Sequence, residues 1–200
     1  VGVSGSMRTS SVWVPVSAGG APVNSWACAG SVQLVPETAW FDTIDTYAAG
    51  SSLVNQGGWE EWGAGAGANT AANPAYGPGN SIDINGAADL VHQYSGYTSG
   101  KWEYSCRQYV PTGLTAKSYF ILLSSYNAAT ASYIWAVQVG FNPLAANGGQ
   151  VEGDAGGAGA GATLPLIYDR WVTIQVMIDL DNDWCQFYYN GVLLDDPLVA

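Results

Sequence analysis

The stretch Arg170–Leu194, RWVTIQVMIDLDNDWCQFYYNGVLL, admits few backbone arrangements. Trp171, Thr173, Gln175 and Met177 alternate with Val172, Ile174, Val176 and Ile178, and a period of two gives a strand two distinct faces. Asp179 to Asp183 break the alternation and supply turn chemistry. Trp184, Gln186 and Tyr188 then alternate with Cys185, Phe187 and Tyr189. Asn190-Gly191 closes the run with a strong hairpin signal, because both residues tolerate positive φ. The stretch therefore reads as two strands about an acidic turn, followed by a second tight turn.

The rest of the chain repeats this character. Ser11–Val16, SVWVPV, is a short β-prone run with Val12, Val14 and Val16 on one face and Trp13 on the other. Pro15 cannot donate to a ladder, which places this strand at a sheet edge. Ser17–Gly20 is a flexible break, and Ser31–Val35, SVQLV, is a second candidate strand. Residues 1–35 thus form an N-terminal β-prone arm, either completing the domain's own sheets or adding a strand to a neighbouring copy. Residues 36–200 form the main domain. Trp40-Phe41-Asp42 opens it, and Gly63–Gly79 is too rich in Gly, Ala, Asn and Pro for anything but loop. Ser81–Ile84 and Asp89–Gln93 read as strands around the Asn85-Gly86 turn. Lys101–Val110 alternates Trp102, Tyr104, Cys106 and Gln108 against Lys101, Glu103, Ser105, Arg107 and Tyr109. Ser118–Tyr126 and Tyr133–Phe141 are aromatic-rich strands, and a short strand is expected near Val151. Gly153–Ala162 is a low-complexity loop, since each Gly costs a helix about 1 kcal/mol relative to Ala. The expected class is all-β, a two-sheet antiparallel jelly-roll sandwich.

Charge narrows the partners. Five basic residues against sixteen acidic ones give a formal net charge of −11, which argues against nucleic acid, where phosphate contacts need Lys and Arg clusters. It equally disfavours an anionic membrane surface, and no apolar run reaches the length of a membrane span. The low charged fraction, nine Trp and twelve Tyr point to a secreted or cell-surface protein. Cys106 and Cys185 fall in expected strands; they pair if those strands face each other and otherwise serve as small buried side chains, with Cys28 the third. A chain beginning at Val1, with neither an initiator Met nor a signal peptide, reads as a processed chain or part of a longer one.

The order of several motifs resembles a known superfamily. Phe41-Asp42, Gly57-Gly58-Trp59, Ser81–Ile84, Gly100-Lys101-Trp102 and Tyr109-Val110-Pro111 are followed by Tyr119–Leu123 and Trp135–Val139. Trp171-Val172, Ile178–Asp181 and Tyr188–Gly191 complete the series. Over residues 40–194 this is similar to the concanavalin A-like lectin/glucanase superfamily, in its laminin-G-like bacterial branch. The resemblance implies a two-sheet jelly roll shared by lectins, adhesion domains and glycoside hydrolases, so fold alone does not choose the activity. Domains of this kind continue past the Tyr-Tyr-Asn-Gly hairpin with closing strands. Here residues 193–200 alone follow, so the final strands are expected to be missing or replaced by the N-terminal ones.

Candidate sites follow from chemistry. Trp59, Trp62 and Tyr76 flank a polar loop and have the apolar faces and polar edges that stack on sugars; core packing or subunit contact is the competing reading. Asp179, Asp181 and Asp183 offer hard oxygen ligands for calcium, with Asp195-Asp196 further along, but the Gly and distal Glu of an EF-hand are absent. A solvated turn is the competing reading. Family glucanases carry closely spaced catalytic acids in an ExDxE-like pattern that this chain lacks: Glu60-Glu61 point to opposite faces, and Glu103 and Glu152 stand alone. His92, the single histidine, has no nucleophile marked beside it. The first expectation is therefore a non-catalytic extracellular structural or adhesive module without a cofactor. It self-associates with other copies, as in a filament, through Val12, Trp13, Val14 and Val16. The second is a lectin-like module that binds polysaccharide with or without calcium, and the third a glycoside hydrolase of the same fold.

Overall fold

The alternating runs become strands because each can bury one face. The computed structural model describes residues 8–15, 40–62, 67–86, 88–153 and 161–194. Its strands are β1 (Arg8–Pro15), β2 (Phe41–Asp42), β3 (Trp59–Glu61), β4 (Asn69–Ala71), β5 (Ser81–Asp83), β6 (Leu90–His92) and β7 (Lys101–Tyr109). They continue as β8 (Ser118–Asn127), β9 (Ser132–Asn142), β10 (Gln150–Gly153), β11 (Thr163–Pro165), β12 (Trp171–Asp179), β13 (Trp184–Tyr189) and β14 (Val192–Leu194). All pairings between them are antiparallel. The helical structure among the described residues is two 3₁₀ turns, Ala128–Thr130 and Ala146–Gly148. No helix of the described residues is long and apolar enough to cross a membrane.

A six-stranded sheet ordered β14-β13-β12-β7-β1-β2 lies against a four-stranded sheet ordered β11-β10-β9-β8. Tyr104, Cys106, Val172, Ile174, Val176, Phe187 and Tyr189 from the first meet Phe120, Val137, Val139, Phe141 and Val151 from the second. Ring contacts stitch the two layers: Phe120 lies 5.3 Å from Tyr104 and 6.0 Å from Phe187, and Phe141 lies 6.0 Å from Tyr189. This is the all-β antiparallel sandwich that the alternation predicts. The two turns of the C-terminal stretch fall where expected, with Asp183 and Asn190 in the left-handed region at φ 52° and 49°.

β1 belongs to the same sheet as the body of the chain. It pairs with β7 along its whole length, Arg8 opposite Tyr109, Val12 opposite Ser105, Trp13 opposite Tyr104, Val14 opposite Glu103 and Pro15 opposite Trp102. Among the described residues its other side pairs with β2, Ser11 opposite Asp42 and Val12 opposite Phe41. Val16, Cys28, Ser31–Val35 and Asp195-Asp196 lie outside the described residues, as does most of Gly153–Ala162.

Two local expectations are corrected. Gly63–Gly79 is not all loop, because Asn69–Ala71 forms β4 and pairs with β5. Buried Thr70 drives this: its hydroxyl donates to Ala48 O at 2.6 Å and accepts from Ser51 N, contacts made by residues distant in sequence. The strands flanking Asn85-Gly86 also do not pair with each other; β5 pairs with β4, and β6 with β3. These short ribbons enclose a second core of Ile44, Leu53, Trp59, Ala68 and Ile82. Trp40 and Ile84 pack against both cores and join them.

Candidate functional site

The first exposed aromatic group grows from the β8–β9 hairpin. Its tip is closed by the Ala128–Thr130 turn, where the Asn127 side chain accepts from Thr130 N at 3.2 Å and Ala131 takes φ 49°. Register shifts between Leu122 and Ser125 bend the hairpin, and its outer half, including Ser124, Ser125, Ile134 and Ala136, is exposed. Bulges of this kind re-aim side chains. Tyr126 stacks on its cross-strand partner Tyr133, with centroids 5.4 Å apart and planes 25° apart. Trp62, just past β3, packs on Tyr133 at 4.4 Å and on Tyr126 at 5.3 Å. It lies nearly parallel to Trp135 at 5.8 Å and 28°. Trp135 is 50% exposed and Ile134 58% exposed. Polar groups rim these rings. Gln93 Nε2 donates to Glu60 Oε1 at 2.7 Å, and Trp62 N donates to Asp89 O at 3.2 Å. Burial, then the nearby Tyr133, Glu60 and Asp89, raise the pKa of Tyr126 above its ordinary value. The result is a half-exposed Trp135 ring backed by Trp62, Tyr126 and Tyr133, with Glu60 and Asp89 close to the cluster.

A second group lies on the outer face of the six-stranded sheet. Where Tyr104, Cys106 and Gln108 turn inward, Glu103, Ser105, Arg107 and Tyr109 turn outward and stand opposite Met177, Gln175, Thr173 and Trp171. The loop between β4 and β5 folds over this face, with Trp171 Nε1 donating to Ala75 O at 3.1 Å. That loop lays Tyr76, 51% exposed, over Arg107, whose guanidinium carbon is 4.8 Å from the ring centroid. Arg107 Nη1 also donates to Thr173 Oγ1. Trp171 meets Tyr76 edge-on at 5.9 Å and Tyr109 at 5.6 Å.

The three sugar-stacking candidates read from sequence are therefore separated. Trp62 joins the hairpin surface and Tyr76 the sheet face. Trp59, at 6% exposure, is buried in the second core, with Trp40 and His92 against its ring and its Nε1 donating to Asp42 Oδ2 at 3.0 Å. Packed rings leave no face for a ligand. Sequence reading missed Tyr126, Tyr133 and Trp135. The available signal was SYIWAV, where apolar residues occupy both faces of a strand that would otherwise alternate.

The Asp179–Asp183 turn uses its carboxylates internally. Asp179 accepts from Lys101 Nζ at 2.6 Å, from the backbone of Asp181 and Asn182, and from Asn182 Nδ2 at 2.9 Å. The Lys101 ammonium first, and then the Asn182 amide, hold the Asp179 carboxyl below its usual range. Asp181 Oδ1 accepts from Gly100 N at 2.9 Å. No group of three or more His, Cys, Asp or Glu side chains that could hold a metal ion occurs among the described residues. The Asp179 and Asp181 carboxylates thus tie β12 to the start of β7.

The remaining candidates are held by packing. His92 sits against Trp40 at 4.1 Å and Tyr94 at 4.5 Å, with Nε2 3.1 Å from Gly57 O. Burial lowers its pKa, so the neutral ring is favoured. Cys106 and Cys185 are free thiols on β7 and β13, which flank β12 rather than each other, and burial pushes Cys106 well above its ordinary pKa. Glu103 accepts from Gln175 Nε2 at 2.9 Å. Glu152 accepts from Asn142 Nδ2 at 2.9 Å and meets Lys117 Nζ at 2.7 Å, and that ammonium holds its carboxyl below the usual range. A glycosidase acid needs the opposite shift.

No family model, curated protein or solved structure matches the chain. What the geometry defines is an antiparallel β-sandwich with two separate aromatic surfaces.

Proposed function

We propose that this chain is a non-catalytic, lectin-like module of the concanavalin A-like kind, binding neutral polysaccharide on the β8–β9 hairpin. The observation that carries the reading is the near-parallel Trp62–Trp135 pair with Trp135 half exposed. Pyranose rings present flat C–H faces that pack on indoles, and their hydroxyl groups reach the polar rim of Glu60 and Gln93. Aromatic side chains held by neighbouring rings lose little entropy on binding. Affinity electrophoresis through gels containing neutral β-glucan, xylan or mannan tests it. Wild-type protein is retarded by at least one, and Trp135→Ala weakens that binding roughly tenfold, the effect of about one lost ring-stacking contact. Absence of retardation by every polysaccharide, or an unaffected Trp135→Ala variant, rejects the reading.

One observation favours a second reading, self-association by strand exchange. β1 reaches the rest of the chain through residues 16–39, and its eight-residue pairing with β7 is equally available to β1 of another copy. Exchange of identical elements is a low-cost route to assemblies. Sedimentation at increasing concentration then shows dimers or open polymers that deletion of residues 1–35 abolishes. A monomer at all concentrations excludes it.

A further inference from the structure

The face of the β3–β6 ribbon that carries Trp62 also carries two carboxylates. Residues two apart in a strand share a face, so Glu60 lies on the Trp62 side of β3 and buried Trp59 on the other. Glu60 is opposite Val91 of β6, and Trp62 N donates to Asp89 O, which continues the same register. Asp89, two residues before Val91, therefore falls on that face as well. Trp62 packs on Tyr126 and Tyr133 of the hairpin. After burial and Tyr133, the charges of Glu60 and Asp89 help to raise the pKa of Tyr126, so both acids act on the cluster.

The described cationic side chains are placed elsewhere. Lys101 pairs with Asp179 at 2.6 Å and Lys117 with Glu152 at 2.7 Å. Arg107 is held by Thr173 and Tyr76, and the charge of Arg170 acts on Tyr189. His92 feels Glu60, but burial favours its neutral ring. Glu60 Oε1 accepts from the neutral Gln93 amide, and Asp89 is exposed. The Tyr126 hydroxyl is buried without a hydrogen-bond partner among the described residues, an unmet group that a ligand hydroxyl or amine can satisfy. Two carboxylates without an ion-pair partner among the described residues thus lie close to a half-exposed indole. Both features attract an ammonium group, the indole through its ring quadrupole and the carboxylates by charge.

We propose that the hairpin surface takes an amino sugar, the protonated glucosamine units of a polyglucosamine chain, in preference to uncharged sugars. This inference rests on the reading of that surface as a carbohydrate site and names its substrate class. The pyranose C–H face packs on Trp135, and the ammonium group meets Glu60 or Asp89. N-acetylation removes the charge and leaves the ring, so it isolates the electrostatic part. A formal charge of −11 draws any polycation to the protein. The preference must therefore follow these two carboxylates and not the net charge.

Titration calorimetry of the full chain at mildly acidic pH tests it, with oligomers of glucosamine, N-acetylglucosamine and glucose of equal length as probes. A lysine oligomer is the fourth probe. The glucosamine oligomer binds roughly tenfold more tightly than either uncharged sugar, and added salt reduces that advantage. Glu60→Gln and Asp89→Asn each reduce the advantage by up to about fivefold, and the double variant binds the three sugars alike. Asp183→Asn removes an equal charge from the exposed β12–β13 turn and keeps the preference. Trp135→Ala weakens glucosamine binding but leaves the weaker binding of the lysine oligomer unchanged. Equal affinity for charged and uncharged sugars overturns this inference and leaves the carbohydrate site standing, whereas binding of no sugar removes both. A preference that persists in the folded double variant, or that Asp183→Asn reduces equally, also overturns it. So does a lysine oligomer bound as tightly as the glucosamine oligomer.

Discussion

Phe187→Ala lowers the unfolding free energy by about 3–5 kcal/mol, the range for truncating a fully buried aromatic side chain. Phe187 is fully buried on β13, opposite Val176 of β12 and Leu194 of β14 within its own sheet. Across the sandwich it meets Phe120 of β8 at 6.0 Å. Truncation thus removes packing within one sheet and between the two, and sheet residues on either side cannot collapse into the void without breaking ladder hydrogen bonds. Phe41, at 66% exposure on β2, is the control, because Phe41→Ala leaves stability within about 0.5 kcal/mol. Urea unfolding followed by Trp fluorescence measures both. A loss below about 1 kcal/mol for Phe187→Ala means that the two sheets are not packed as described.

Asp42→Ala is the second large loss, roughly 2–4 kcal/mol, because one carboxylate serves several donors that become unsatisfied together. Its Oδ1 accepts from Ile44 N at 2.8 Å, and its Oδ2 accepts from Tyr47 Oη at 2.6 Å and Trp59 Nε1 at 3.0 Å. The first of these bonds supports Ile44 at φ 66°, an unusual conformation for a β-branched residue. The other two tie the entry of the main domain to the second core. Burial, followed by the bond to Asp42 and its charge, pushes Tyr47 up to about 12. Absorbance titration therefore finds a tyrosine in the wild type that ionises only near pH 12, and its transition moves down in Asp42→Ala. An unchanged titration together with an unchanged urea midpoint shows that Asp42 is not the hub.

Much of the fold is legible in residue order. Val172, Ile174 and Val176 are buried in the phase their alternation requires, and the Asn190-Gly191 turn lies between two paired strands. Tyr104 and Cys106 likewise face the core. Legibility fails where a strand is short and its partner distant. Asn69–Ala71 has no alternation to read, and it is a strand because Thr70 reaches Ala48 and Ser51. The sugar-stacking candidates show the same limit. Composition near a turn selects Trp59, Trp62 and Tyr76 alike, whereas burial separates them, since the Trp59 indole N–H found an internal acceptor in Asp42. Trp135 escaped notice because one-dimensional patterning treats an aromatic residue within a strand as core.

Sequence alone determined the all-β class, the position of the C-terminal hairpins and the strongly negative net charge, because periodicity, turn chemistry and charge are properties of neighbouring residues or of simple sums. Tertiary structure decided which strand pairs with which and how the carboxylates of Asp179 and Asp42 are used. It also decided which aromatic rings keep an open face and that both lysines are paired with carboxylates. Those outcomes depend on contacts between segments far apart in the chain. The Asp179–Asp183 turn illustrates the division: its shape is encoded locally, but Lys101, brought alongside by the β7–β12 ladder, decides that its charge stabilises the sheet.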